Sequence, residues 1–173
     1  CTTCHEDRDA AWAAAEIAER FPQSDNRGPH YGTVLARGRE DAVAAAGVLA
    51  DLAEDATQPG LVRATALWLL ENANSPTTAA RLAPLIEDDD PAVRAAAVGL
   101  QRTAPPMDRV PRITSALGDP SRTVRQEAAK GMIDAPIARL PSRIQADMNE
   151  AMAEWRSALS SRMDFPETHL QLA

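Results

Sequence analysis

The dipeptide Val-Arg recurs in this chain at one fixed interval. It stands at Val62–Arg63, Val93–Arg94 and Val124–Arg125, so successive copies are 31 residues apart. Alanines three residues after each arginine, Ala66, Ala97 and Ala128, keep the same period. A period of this length is typical of a structural unit copied along the chain, in which each copy packs mainly against its neighbours. We therefore expect a stack of similar units.

Each unit is expected to consist of two helices joined by a turn. Residues 55–60, 88–91 and 118–120 are rich in Asp, Pro and Gly, which cap or begin helices. Apolar residues between the turns follow helical spacing, and aromatic residues make up only 3% of the chain. The pattern predicts an all-α fold, an α-solenoid of antiparallel helix pairs at 40–54 with 60–73, 76–87 with 91–103, and 106–117 with 121–134.

The stretch Asp-Pro-Ala-Val-Arg-Ala-Ala-Ala at 90–97 resembles the HEAT and HEAT-like repeat family, as does the segment from Asp119 to Ala129. The first unit departs from the pattern, with Gln-Pro-Gly-Leu at 58–61. The resemblance covers about residues 40–135 and implies an α-α superhelix. It also implies that Arg63, Arg94 and Arg125 form a structural ladder with turn acids of the same or the adjacent repeat. The alternative is a basic stripe that docks an acidic partner.

The chain begins with Cys1-Thr2-Thr3-Cys4-His5, which contains both of its cysteines. Two thiols at this spacing can each form a thioether with a haem vinyl group, and the adjacent imidazole can then bind the iron. The motif predicts haem c attached covalently to Cys1 and Cys4, with His5 as an axial ligand of the haem iron, which makes His5 the predicted metal ligand. His30, in a Gly- and Pro-containing segment, is the candidate second axial ligand, ahead of His169 and Met107.

Three other interpretations of the cysteines stay open. They could be a redox dithiol, although the βαβ pattern of thioredoxin-like proteins is absent. They could supply two of four zinc ligands, the others coming from distant histidines. A mature bacterial lipoprotein also begins with cysteine. No nucleophile, base and orienting group stand together in the sequence, so we do not expect an enzyme.

The sequence predicts four segments: a haem-motif segment with N-terminal helices (1–38), three HEAT-like repeats (39–135), a long capping helix (136–163) and the start of a tetratricopeptide-like repeat (164–173). Both ends are expected to be cut from a longer protein. The order of these parts resembles bacterial multihaem c-type cytochrome proteins that carry HEAT and tetratricopeptide repeats. That resemblance implies an exported, periplasmic parent protein that carries haem c. A fragment made without the haem-attachment machinery is expected to lack the haem.

The function expected from these features is that of a protein–protein interaction scaffold within this parent, and the alternative is an electron-transfer module. Its partner would be another protein or the parent's own cytochrome module. A formal charge of −7 argues against nucleic acid. No apolar run approaches the roughly 20 residues of a membrane span.

Overall fold

A computed structural model of the chain describes residues 3–23, 30–135 and 140–172. Across these ranges all regular structure is helical and no strand is present, which confirms the all-α prediction. The chain divides into two compact units, residues 1–30 and residues 31–173. Within the described ranges, no helix combines the length and apolar character needed to cross a membrane.

The first unit contains helix α1, Ala10–Arg20. Asp9 begins this helix, because its Oδ1 accepts a hydrogen bond of 2.7 Å from the backbone N–H of Trp12. Glu16 and Arg20 form an ion pair of 3.0 Å one turn apart on its surface. No residue of α1 is buried.

The second unit contains the remaining described helices: α2 (Tyr31–Glu40), α3 (Ala46–Glu54), α4 (Gly60–Leu70), α5 (Pro76–Leu82), α6 (Pro91–Leu100), α7 (Pro106–Ile113), α8 (Arg122–Gly131), α9 (Ser142–Ser160) and α10 (Pro166–Leu172). Capping side chains begin two of these helices, and one of them, Asp90, lies in a predicted turn. Asp90 caps α6 through a bond of 2.8 Å to Ala92 N, and Ser75 caps α5 through a bond of 3.2 Å to Thr78 N.

Several helices are shorter than the sequence pattern predicts, because their last turns tighten into 3₁₀ helix. The sequence predicts continuous helices over 76–87 and 106–117, whereas α5 ends at Leu82 and α7 at Ile113. The 3₁₀ segments Ala83–Glu87 and Thr114–Gly118 follow them. Pro84 has no N–H to donate to a carbonyl four residues back, so the first of these helices cannot continue through it.

The second helix of each predicted pair packs against the second helix of the next. Helix α4 packs on α6, α6 on α8, and α8 on α9, while α2 and α3 pack beside α4. The core between them is aliphatic, and its largest fully buried side chains include Leu67, Leu100 and Met132. Small residues such as Ala97 and Ala128 are also fully buried, so they let neighbouring helices approach closely.

Candidate functional site

The predicted haem-attachment motif lies in the first unit, and its described part is accessible to solvent. Cys1 lies outside the described residues. Cys4 is exposed and free of any disulfide within the described part of the chain. His5 is also exposed, and its ring centroid is 5.0 Å from the ring centroid of Trp12, at an interplanar angle of 57°. The thiol and the imidazole are therefore both open to a group outside the helix.

A short turn holds His5 next to α1. The carbonyl of His5 accepts a hydrogen bond of 3.1 Å from the backbone N–H of Arg8. The guanidinium carbon of Arg8 lies 5.5 Å from the centroid of the Trp12 ring, on the same side of the unit as a shallow cleft of about 400 Å³. Trp12 thus has an imidazole and a guanidinium as neighbours.

The cleft beside this motif is mixed in character, because Glu6, Asp7, Arg8 and Asp9 line it together with Trp12. Ile17 and Phe21 are each more than half exposed, and α1 buries none of its residues. The exposed thiol of Cys4 and the exposed imidazole of His5 are the kinds of donor that a covalently attached haem uses, and Trp12 is the aromatic side chain beside them. His30, the predicted second axial ligand, is exposed and directly precedes α2.

Other metal chemistry has less support in the described ranges. No group of three or more His, Cys, Asp or Glu residues is arranged there to hold a metal ion. His169 lies on α10, where a ring nitrogen is 2.9 Å from the carbonyl oxygen of Met163. Met107 is exposed on α7.

Each of the three repeated arginines forms a bidentate ion pair with an acid further along the chain. Arg63 binds Asp88 with distances of 3.2 and 2.6 Å, and Arg94 binds Asp119 with distances of 2.8 and 3.1 Å. Arg125 binds Glu154 of α9 with distances of 3.0 and 2.5 Å. We call these three pairs the arginine ladder.

The ladder arginines also bind backbone carbonyls that precede them, one near the end of α3 and two in turns. Arg63 donates from Nε to Ala53 O at 2.9 Å. Arg94 donates to Asp88 O at 2.8 Å, and Arg125 donates to Asp119 O at 2.7 Å. Each guanidinium therefore joins a backbone carbonyl to a carboxylate, using the planar fork of donors that lysine lacks.

The electrostatics of the ladder favour charged carboxylates. Burial is the largest single effect and would raise the pKa of Asp88, but the hydrogen bonds from Arg63 and the Asp90 backbone, together with the charges of Arg63 and Arg94, outweigh it, so this pKa lies below its usual value. The same balance, with Arg94 as the donor, lowers the pKa of Asp119. Hydrogen bonds from Arg125 lower the pKa of Glu154.

A second charged network crosses the same helices and was not predicted. Arg102 bridges Glu71 at 2.9 Å and Glu127 at 2.7 Å, and Lys130 binds Glu127 at 2.7 Å. Burial alone would raise the pKa of Glu127, but Lys130 and Arg102 outweigh it and lower the pKa. Arg109 is also buried, and it pairs with Asp134. The sequence does contain a pattern that could have predicted these pairs. The acid stands 25 residues after its arginine in four of them, with Asp88, Asp119, Glu127 and Asp134 as the acids.

Sequence reasoning also missed Trp68, whose side chain is 59% exposed on α4. It lines a cleft of about 500 Å³ with Asp41 and Asn72, and a groove of about 350 Å³ with residues of α6 and α8. One period along the chain its position is occupied by Gly99, and two periods along by Lys130. Packing of the units therefore does not require an aromatic ring at this position.

Comparison with known proteins gives no relative, because no protein-family model matches the chain and no curated protein matches it.

Proposed function

We propose that residues 39–135 form a HEAT-like α-solenoid that binds a protein partner and has no catalytic role. The 31-residue period and the successive packing of α4, α6 and α8 support the solenoid. The arginine ladder supports it further, because each of its pairs joins one predicted unit to the next element along the chain. Solenoids present extended faces of this kind to other proteins.

The observation that carries this proposal is the exposure of Trp68. Tryptophan is enriched among the residues that dominate protein–protein binding, and an exposed one on a helix face is costly to keep in water. Trp68 stands between a cleft and a groove, both open to solvent. The binding surface that we propose is this face of α4, α6 and α8.

The partner that we propose is a protein, either a separate one or the cytochrome module of a larger exported parent. The net charge of −7 disfavours a nucleic acid. The localisation that goes with this proposal is periplasmic, because c-type haem is attached outside the cytoplasm in the proteins that the chain resembles.

Site-specific photocrosslinking in the source cell tests this proposal. A photoreactive amino acid replaces exposed Leu61 on α4, and the matched control replaces Met107, which is 81% exposed on α7. We expect the probe at position 61 to capture one defined protein, and Trp68→Ala to abolish that capture. Loss of a hot-spot tryptophan costs about 2 kcal/mol or more of binding free energy. Equal capture from both positions, or capture unaffected by Trp68→Ala, would contradict the proposal.

A second candidate function is electron transfer by a haem attached to Cys1 and Cys4, with His5 as axial ligand. Its support is the exposed thiol of Cys4 one residue before the exposed imidazole of His5, whose ring lies against Trp12 of α1. When bound, the haem iron would supply one-electron redox chemistry. Trp12 contacts the imidazole and would limit the orientations that the ring can take.

A pyridine haemochrome spectrum tests the second candidate. The chain is exported in a host that has the c-type haem maturation machinery, beside a Cys4→Ala variant. A c-type band that the variant loses supports the proposal, and His30→Ala then tests the second ligand through a change from low-spin to high-spin iron. Absence of covalent haem in the exported chain would refute it and leave the scaffold function intact.

A further inference from the structure

A cleft in the described part of the second unit lies where α8, α9 and α10 meet. Its volume is about 610 Å³, within the range of small-molecule sites. Its lining shares no residue with the cleft and the groove that contain Trp68. The residues used below are Lys130 of α8, Trp155 and Leu159 of α9, Arg162 and Phe165 of the following turn, and Thr168 of α10.

Two cations line this cleft. The Nζ atom of Lys130 lies 5.9 Å from the ring centroid of Trp155 and binds Glu127 at 2.7 Å. Arg162 is exposed, and within the described residues its guanidinium forms no ion pair. Glu127 compensates much of the charge of Lys130, and Glu167 also lines the cleft. Because Glu127 and Glu167 offset most of this positive charge, the cleft suits a ligand with a single negative charge, bound at Arg162, better than a dianion.

Thr168 also lines the cleft. Thr168 is 4% exposed, and its backbone N–H donates to Phe165 O at 3.1 Å. Its hydroxyl makes no hydrogen bond to any residue in the described ranges. The hydroxyl is therefore able to donate to an oxygen atom placed in the cleft.

The rest of the lining is apolar. Trp155 and Leu159 are almost wholly buried and form one wall, and Phe165 lies at the mouth with more than half of its surface exposed. A purely inorganic anion would leave this wall in contact with water. A ligand that combines one carboxylate with an apolar body would cover the wall and bind the cations together.

We propose that this cleft binds a small organic monocarboxylate, with its carboxylate held by Arg162, Lys130 and the hydroxyl of Thr168 and its apolar body against Trp155. The site does not depend on haem or on the scaffold function, so each can fail without the others.

Nuclear magnetic resonance titration of the whole 173-residue chain tests this proposal. The probes are 3-phenylpropionate, its uncharged amide and inorganic phosphate, followed by the indole N–H signal of Trp155 and the backbone signals of Arg162 and Thr168. We expect saturable shifts with the carboxylate, at least tenfold weaker binding of the amide, and no matching shifts with phosphate. Equal binding of the amide, matching shifts with phosphate, or no shift with about 10 mM carboxylate would overturn the proposal.

Variants separate binding from folding. Arg162→Ala is expected to weaken carboxylate binding about tenfold or more, as for the loss of a charge-assisted hydrogen bond. The matched control is Arg156→Ala, at an exposed position of α9 outside the cleft lining. Glu167→Gln should strengthen binding, an effect in the opposite direction that general damage to the fold would not produce. The proposal is refuted if Arg162→Ala binds as tightly as Arg156→Ala, or if Glu167→Gln does not strengthen binding.

Discussion

The carboxylate of Asp90 occupies the space that a side chain on Gly60 would need. A Cβ atom built on Gly60 would lie 1.7 Å from Asp90 Oδ2, far inside contact distance. Asp90 cannot move away cheaply, because its Oδ1 caps α6 through the bond to Ala92 N. The glycine that departs from the repeat pattern in the first unit is thus explained by the acid that begins α6 in the second.

This relationship predicts that Gly60→Ala destabilises the protein. The alanine must displace Asp90 from its cap, and the loss of an N-cap bond and local crowding together cost about 1 to 3 kcal/mol of the free energy of unfolding. Denaturant unfolding measures the change. Gly47→Ala in α3 is the control, because a Cβ there meets nothing within 4 Å, and it should be neutral or slightly stabilising. Equal free energies of unfolding for the two variants would show that the Asp90 side chain moves away without loss of stability.

The arginine ladder predicts a loss of stability rather than a loss of binding when one of its arginines is removed. The side chain of Arg63 is 8% exposed and that of Asp88 14% exposed, so Arg63→Ala leaves a largely buried carboxylate and the carbonyl of Ala53 without their donor. We expect the free energy of unfolding to fall by about 2 to 4 kcal/mol.

Two further variants test whether the loss of stability comes from the buried bidentate pair. Arg63→Lys should recover little of the loss, because an ammonium cannot reproduce the two parallel bonds to Asp88. Arg81→Ala removes a pair between exposed side chains and should have a much smaller effect. If Arg63→Ala unfolds like the wild type but loses a partner, the basic-stripe alternative is favoured.

The lowered pKa values of Asp88 and Asp119 predict a specific acid sensitivity. A carboxyl whose pKa is lower in the folded state contributes stability that is fully present above its unfolded pKa, and this is lost as the pH falls through the folded value. The free energy of unfolding should therefore stay flat near neutral pH and fall below about pH 4, the ordinary range of aspartate. Glu154 adds to the loss in the same direction.

Unfolding measured at several pH values checks this expectation. Asp88→Asn should lower stability at neutral pH and make the acid dependence shallower, because the amide does not titrate. Asp164→Asn, an exposed position outside the ladder, is the control and should leave the curve unchanged. A wild-type slope retained in Asp88→Asn would assign the acid sensitivity to other groups.

The sequence allowed a correct prediction where a short motif is compatible with one local structure. Asp90 and Pro91 predicted the start of α6, and the period predicted that Val93 and Ala97 face the core, where both are fully buried. The change from α-helix to 3₁₀ helix at Ala83–Glu87 was harder to predict. Over five residues, the spacing of apolar side chains is almost the same in an α-helix and in a 3₁₀ helix. The solenoid arrangement itself stays a prediction.

The candidate sites depended on information that periodicity does not carry. The arginine positions were visible, but Glu154 stands 29 residues after Arg125, outside the common offset of 25, and only the position of α9 makes it a partner. The exposure of Trp68 could not be predicted, because an aromatic residue in an apolar helix is usually buried by a neighbour. The cleft beside Thr168 depends on how α10 packs on α9, which no local pattern specifies.

Gln101 gives the sharpest test of how polar groups hold the units together. It is fully buried, and its Nε2 donates to Ala79 O at 2.9 Å, while its Oε1 accepts a bond of 3.2 Å from Arg112. The positions one period before and after it are Leu70 and Met132, both buried and apolar. Leucine therefore suits the shape of this position in a neighbouring unit but cannot make either bond.

We expect Gln101→Leu to lower the free energy of unfolding by about 1 to 3 kcal/mol, because the carbonyl of Ala79 loses its donor near the end of α5. Met132→Leu, a swap between apolar side chains of similar volume, should cost less than about 1.5 kcal/mol and calibrates the effect of shape alone. Denaturant unfolding measures the free energy of unfolding of both variants. If Gln101→Leu proves as stable as the wild type, apolar packing at this position compensates fully for the two hydrogen bonds. Glutamine would then have to be explained by the specificity of packing between α5, α6 and α7 rather than by their stability.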